Sequence, residues 1–119
     1  MKSNVLKDKS YLFAIRIVKF YQYMKEEKKE FIISKQVVRS GTAIGALIKE
    51  AVQGESKPDF IHKLSIANKE ANETRYWIKL LRDTGFIATN EAESLILDVE
   101  ELIKLLVAII KSTKASINR

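Results

Sequence analysis

The chain has 119 residues and a mass of 13.6 kDa, which is the size of one ordinary domain. Hydrophobic residues make up 46% of it, enough for a packed core, while four Gly and one Pro are too few for the turns of an all-β sandwich. The absence of Cys and the single His exclude disulfides, thiolate metal sites and any chemistry that needs two imidazoles. We therefore expect one helical domain over residues 1–119, with no catalytic residue, no cofactor and no metal.

The excess of basic residues lies in the first half of the chain. Residues 1–57 carry 12 basic and 6 acidic groups, and residues 58–119 carry 9 of each, so the net charge of +6 belongs to the first half. Either a polyanionic partner, RNA or DNA, or simple solubility explains this balance. No stretch reaches the roughly 20 apolar residues of a membrane span, and the N-terminus lacks the apolar run of a signal peptide. We expect a cytoplasmic protein without a membrane partner.

Apolar residues recur at steps of three and four, which predicts helices. The first helix covers residues 10–26, with Asp8 or Ser10 as its N-cap. The second covers residues 33–53 and ends at Gly54, a residue suited to a left-handed C-cap.

The third predicted helix covers residues 58–84, starts on the single Pro and stops at Gly85. The fourth covers residues 91–114 and is preceded by Asn90, which with Glu93 reads as a capping box. Because the connections are short, neighbouring helices must run antiparallel. The sequence therefore predicts an all-α fold, an up-down-up-down antiparallel four-helix bundle.

Several helices carry apolar residues outside the stripe that predicts the core. On the third helix this second stripe contains Ile66, Trp77 and Leu80 beside Glu70 and Glu73. A wide core or a self-association surface would each explain such rows, and we expect a homo-oligomer. The other apolar residues outside the core stripes are Leu12 and Ile15 on the first helix and Leu97 and Leu105 on the fourth.

The second helix contains Gly41 and Gly45 one turn apart, which indicates either a kinked helix or the close approach of another backbone. Arg39 lies between small residues and can pair with Glu70 or Glu73, which would hold the register of two helices. The candidate residues of an oligomer interface or of helix register are Arg39, Gly41, Gly45, Glu50, Glu70, Glu73 and Trp77.

The carboxylates do not form a convincing catalytic or metal site. Di-iron sites in helix bundles need two Glu-x-x-His motifs, and this chain has one His. Asp59 and His62 have half of such a spacing, but Asp59 suits the N-terminus of a helix and His62 suits a surface position. We expect no enzymatic activity.

A basic row on the first helix is the candidate nucleic-acid surface. Lys9, Arg16 and Lys19 fall within about a quarter turn of each other, and Tyr23 between them could stack on a base. The alternative is a solvated face whose apolar neighbours join a subunit interface, with the lysines at its rim.

Three strings of the sequence are distinctive in combination: RSGTAIGA at residues 39–46, KPDFIHKLSIA at residues 57–67 and KEANETRYW at residues 69–77. Together they resemble the 23S rRNA-intervening-sequence proteins, and the resemblance covers nearly the whole chain. The resemblance implies a small bacterial four-helix bundle without enzymatic activity that assembles as a pentamer around a central channel. Related accessory variability proteins of diversity-generating retroelements associate with a reverse transcriptase and nucleic acid.

The expected partners are therefore other copies of the chain, with a pentamer favoured, then RNA or DNA, and a reverse transcriptase or another protein. The alternative function is a protein-binding scaffold or adaptor with no nucleic-acid role, in which the charge serves only solubility.

Overall fold

Four helices make up most of residues 2–118, which the computed structural model describes, and no strand occurs among these residues. They are α1 (Lys2–Glu26), α2 (Ile32–Val52), α3 (Lys57–Asp83) and α4 (Thr89–Ile117). Each helix packs on the next one in the chain, and α1 also packs on α4, so the four helices close into a ring. This arrangement confirms the predicted all-α, up-down-up-down four-helix bundle.

The predicted apolar stripes meet along the axis of the bundle. Partly buried at the edge of the core are Ile33, Leu47, Phe60, Ile103 and Ile110. The buried residues of the predicted stripes are Phe13, Ile17, Phe20 and Met24 of α1; Val37, Ile44 and Ala51 of α2; Leu64, Ala67, Ala71, Thr74, Ile78 and Leu81 of α3; and Ala92, Leu95, Ile96, Val99, Leu102 and Leu106 of α4.

The predicted start of α1 is wrong, because the helix begins at Lys2 and not near residue 10. Asp8 and Ser10 therefore lie inside the helix, and neither is its N-cap. The hydroxyl of Ser10 donates a hydrogen bond to the carbonyl of Lys7 at 2.9 Å. The stripe continues to Leu6, which is only 1% exposed, and burial of this side chain stabilises the additional turns.

The predicted left-handed C-cap at Gly54 is also wrong, since Gly85 is the glycine with positive φ among the described residues. α2 ends at Val52, and the N–H of Gly54 donates to the carbonyl of Ala51 at 3.0 Å, which closes a tight last turn. A Cβ at residue 54 would lie 3.0 Å from the carbonyl oxygen of Ala51 and 2.6 Å from Oδ2 of Asp59, so a larger residue here would displace the Asp59 side chain.

The ends of α3 agree with the prediction to within one residue, whereas the predicted start of α4 is wrong. Ser56 caps α3, and its Oγ accepts a hydrogen bond from the N–H of Asp59 at 3.2 Å. α4 begins at Thr89 with Ala88 as its cap residue, so Asn90 lies inside the helix and forms no capping box. Gly85, with φ of 83°, terminates the preceding helix as predicted.

A buried carboxylate caps α2. Glu30 accepts hydrogen bonds from the N–H groups of Ile32 and Ile33, each at 3.0 Å, and from the N–H of Ser34 at 2.9 Å. The hydroxyl of Ser34 donates a fourth, at 2.7 Å. Burial acts to raise the pKa of Glu30, but the hydrogen bonds from Ser34 and the backbone together outweigh it and hold the pKa below its ordinary value.

We expect Glu30→Gln to lower the free energy of unfolding by about 1–2 kcal/mol at neutral pH, because the amide replaces a charged acceptor at the helix N-terminus. Because the pKa of Glu30 is lowered on folding, its carboxylate contributes fully to the free energy of unfolding above the ordinary Glu pKa. This contribution is lost as the pH falls through the folded-state pKa. Urea denaturation at neutral and acidic pH should show the two proteins converging in acid. Glu27→Gln, an exposed change in the same turn, is the control, and equal stability of Glu30→Gln and the parent at neutral pH would contradict this assignment.

Candidate functional site

The two glycines of α2 lie where α1 packs closely on α2. A Cβ on Gly45 would lie 3.3 Å from the carbonyl oxygen of Ser10, and a Cβ on Gly41 would lie 2.9 Å from Cγ2 of Ile17. The helix runs unbroken through residues 40–42. The close approach is therefore present, and the approaching backbone is that of α1 in the same chain.

Arg39 joins α2 to α3. Its guanidinium donates to the carboxylate of Glu70 at 3.1 Å and to that of Glu73. The hydrogen bond with Glu73 is the main cause that raises the pKa of Arg39. Next to Arg39, the buried hydroxyl of Ser40 accepts a hydrogen bond from Thr74 at 2.8 Å. These are register contacts within the chain, and a role of the same residues at a subunit interface stays a prediction.

The third glutamate of the predicted set has a different partner. Glu50 accepts from Nζ of Lys63 at 3.1 Å, so each of the three carboxylates is occupied by a basic side chain. Within residues 2–118, no group of three or more His, Cys, Asp or Glu could hold a metal ion. His62 lies on the surface of α3, as expected.

Trp77 is partly buried and packs against the core of its own chain. Its ring meets the ring of Tyr76 edge to face, with centroids 5.0 Å apart and an interplanar angle of 73°. The indole N–H is buried and finds no acceptor in the part of the chain that the structure describes. A contact between Trp77 and a second copy stays a prediction.

Of the basic row predicted to contact nucleic acid (Lys9, Arg16, Lys19 and Tyr23), two members form ion pairs with α4. Lys9 forms an ion pair with Glu101 at 3.2 Å, and Arg16 forms one with Asp98 at 2.6 Å. Arg16 also donates to the hydroxyl of Ser94 at 2.8 Å. Two of the three positive charges therefore face carboxylates of the same chain, which weakens their field toward a polyanion.

The other two members of the row are free of such partners. Lys19 is exposed and forms no ion pair within residues 2–118. Tyr23 is 40% exposed, with Nζ of Lys28 5.9 Å from the centroid of its ring.

Two exposed leucines flank the ion pairs between α1 and α4. Leu12 is 64% exposed and lines the cleft that contains both pairs, while Leu97 on α4 is 68% exposed. Ile15 is 39% exposed on the same outer side of α1. Leu105, predicted with them, instead packs against the core. We call these three exposed apolar side chains of α1 and α4, Leu12, Ile15 and Leu97, the apolar strip.

Sequence analysis missed a cleft of about 520 Å³ between α1 and α2. The exposed Lys7 and Lys49 form no ion pair within the described residues. The sequence contains spacings that place these residues together on helix faces. Lys7 and Tyr11 are four residues apart on α1, and Lys49 is four residues after Gly45 on α2. The lining residues are Lys7, Asp8, Tyr11, Leu12, Gly45 and Lys49.

Fold and surface define a small, basic, antiparallel four-helix bundle, and none of its helices within residues 2–118 is long and apolar enough to cross a membrane. The chain matches the 23S rRNA-intervening sequence protein family over residues 2–108, and it belongs to that family. A crystal structure of a Bacteroides thetaiotaomicron protein with unknown function, from the S23 ribosomal protein family, is similar to it at 56% sequence identity and a TM-score of 0.92. The match covers 93% of this chain and 99% of that one. Among curated proteins, no sequence matches this chain.

We expect Gly45→Leu to lower the free energy of unfolding by about 1–3 kcal/mol, although Leu is the better helix former by nearly 1 kcal/mol. The Cβ would lie 3.3 Å from the Ser10 carbonyl oxygen, and the rest of the side chain would push α1 away. Thermal and urea denaturation measure the effect. Ala46→Leu, one residue on and exposed, is the matched control and should be close to neutral. A melting temperature of Gly45→Leu above that of the parent would show that α1 can move away from α2 without loss of stability.

Proposed function

We propose that the chain is the subunit of a non-enzymatic, cytoplasmic homo-oligomer that contacts RNA or DNA through basic residues of its first half. The observation that carries the oligomer is the apolar strip on α1 and α4. Leu12 and Leu97 together expose two large side chains beside a row of ion pairs, and such patches mark association surfaces. The family resemblance favours five copies.

The contact within a ring is expected to join unlike surfaces of neighbouring copies. A single repeated head-to-tail contact closes into a ring when its rotation allows closure. The apolar strip supplies the hydrophobic centre of such a contact, and the Lys9 and Arg16 ion pairs next to it supply a polar rim.

The pairing and exposure of the titratable side chains support the non-enzymatic part of the proposal. Glu50, Glu70 and Glu73 each accept from a basic side chain, and His62 stands on the surface without a partner carboxylate among the described residues. General acid–base catalysis needs a positioned titratable group that is free to exchange a proton with a substrate. Glu50 lines a cleft at the end of α2, but its carboxylate is paired there with Lys63.

A protein-binding scaffold is the second candidate, because the same apolar strip would also fit a different protein. Salt-dependent retention on RNA separates the two. Phosphate contacts release counterions, so a nucleic-acid-binding protein is retained at low salt and released steeply as the salt concentration rises, whereas a scaffold without a nucleic-acid role is not retained.

We expect light scattering to give about 68 kDa for five copies of the 13.6 kDa chain. The double variant Leu12→Gln, Leu97→Gln should dissociate while its helix content is unchanged, because the exposed leucines contribute to association and not to the bundle core. The measurements are light scattering and circular dichroism over a range of concentrations.

The control for this pair is Ile32→Gln, which removes a side chain that is 76% exposed at the start of α2. It should leave the mass unchanged. A parent protein that is monomeric at every concentration would overturn the proposed oligomer, and an intact oligomer in the double variant would move the interface elsewhere.

A further inference from the structure

We propose that the cleft between α1 and α2 binds a single-stranded nucleic acid, with one base stacked on Tyr11 and the flanking phosphates held by Lys7 and Lys49. This inference rests on the nucleic-acid contact proposed above and gives that contact a site. The single strand is recognised by shape, stacking and charge, and no particular base sequence is implied.

The size and lining of the cleft fit this ligand. Its volume of about 520 Å³ lies within the range of sites for nucleotide-sized ligands. Tyr11 is 67% exposed, so a face or edge of its ring is available to a base. Leu12 adds an apolar contact, and Gly45 lines the cleft at the point where α1 packs closely on α2.

Within the described residues, the lysines of the cleft between α1 and α2 are unpaired, in contrast to the basic residues of the cleft between α1 and α4. Lys9 and Arg16 face Glu101 and Asp98, whereas Lys7 and Lys49 form no ion pair within residues 2–118. The two lysines come from different helices, Lys7 from α1 and Lys49 from α2, and Lys7 lies one turn before Tyr11 on α1. Two unpaired ammonium groups near an exposed aromatic ring can hold the phosphates of a strand whose base stacks on that ring.

One acidic group lies in the same cleft and opposes the ligand. Asp8 is an exposed member of the lining, next to Lys7 in the chain. A carboxylate at this position repels a phosphate and sets the affinity below what the two lysines alone would give. Its removal therefore provides a variant that should gain binding.

Two other partners fit the cleft less well. A second copy seated on it would bury two unpaired ammonium groups, which is costly without matching carboxylates. A duplex presents phosphates but keeps its bases stacked inside, so it has no base to offer Tyr11. A single strand satisfies both the lysines and the ring.

The path of the strand can continue along the same side of the bundle. At about 100° per residue, Lys25 lies on the line of α1 that contains Lys7, about 27 Å further along the helix. Lys25 and the exposed Lys35 of α2 also form no ion pair within the described residues. These lysines would hold further phosphates at a distance of several nucleotides.

The test is the binding of short fluorescent single-stranded RNA and DNA, followed by anisotropy at several salt concentrations, with the oligomeric state of every variant measured in parallel. Lys7→Gln with Lys49→Gln should weaken binding and reduce the slope of log affinity against log salt by about 1.4, for two lost phosphate contacts. Tyr11→Leu should weaken it about 5- to 150-fold, and Tyr11→Phe should bind as the parent does, because the ring is kept. Asp8→Asn should bind more tightly.

The control for net charge is Lys69→Gln with Lys104→Gln, which removes two exposed lysines from α3 and α4 and should change binding little. Equal loss in the two double variants, or tighter binding of a duplex than of the single strand, would overturn the stacked-strand site. Binding by the parent that all cleft variants retain would overturn the site but keep the proposed nucleic-acid contact. No binding by the parent would overturn both. Lysine-dependent binding to phosphatidylserine vesicles without oligonucleotide binding would assign the cleft to a lipid surface instead.

Discussion

The packing of Ser10 on Gly45 fixes the rotation of α1, and the surface properties of the bundle follow from that rotation. Successive residues of a helix are about 100° apart, so the position of one residue determines the direction of its neighbours. With the backbone of Ser10 against α2, Phe13 turns into the core, Lys9 turns toward α4, and Tyr11 turns outward. A larger residue at position 45 would alter all of these directions together.

The acidic first half of α4 has a role beyond the stabilisation of its own N-terminus. Asp98 and Glu101 meet Arg16 and Lys9 across the gap that closes the ring of helices. All four side chains are more than a third exposed, so each pair contributes at most about 1 kcal/mol. Their larger effect is on the surface, because they neutralise two of the three basic residues on this side of α1, whereas Lys7 on the side next to α2 forms no ion pair within the described residues.

The sequence predicts this core well and its helix ends poorly, for physical reasons. Helical periodicity repeats over many residues, so a stripe such as the one through Phe13 and Met24 survives an error at any single position. A cap depends on one or two residues. Burial of Leu6 extends α1 past Ser10, and α4 begins one residue before Asn90. The cap formed by Glu30 could not be predicted from the sequence, because the position of its carboxylate depends on the backbone conformation of the preceding turn.

The candidate sites show the same division between local and distant information. The register contact of Arg39 with Glu70 and Glu73 follows from helix faces that the sequence reveals, and the structure contains it. The pairing of Lys9 with Glu101 joins residues 92 positions apart, and no local pattern predicts which side of α1 will meet acids. The cleft between α1 and α2 likewise exists only after the two helices are packed.

The two proposed surfaces of α1 are adjacent and share Leu12, which lines both the cleft toward α4 and the cleft toward α2. Leu97 lies on α4, whereas Lys7 and Lys49 line the cleft toward α2. In the proposed oligomer, a neighbouring copy seated on Leu12 and Leu97 would therefore border the strand-binding cleft of each copy. When identical weak sites are held in one ring, a strand that binds one site meets the next at a high effective concentration, so the avidity of the ring exceeds the affinity of any single cleft. A single cleft offers only two lysines to the phosphates, so in the proposed oligomer we expect the avidity of several clefts to matter more as the salt concentration rises.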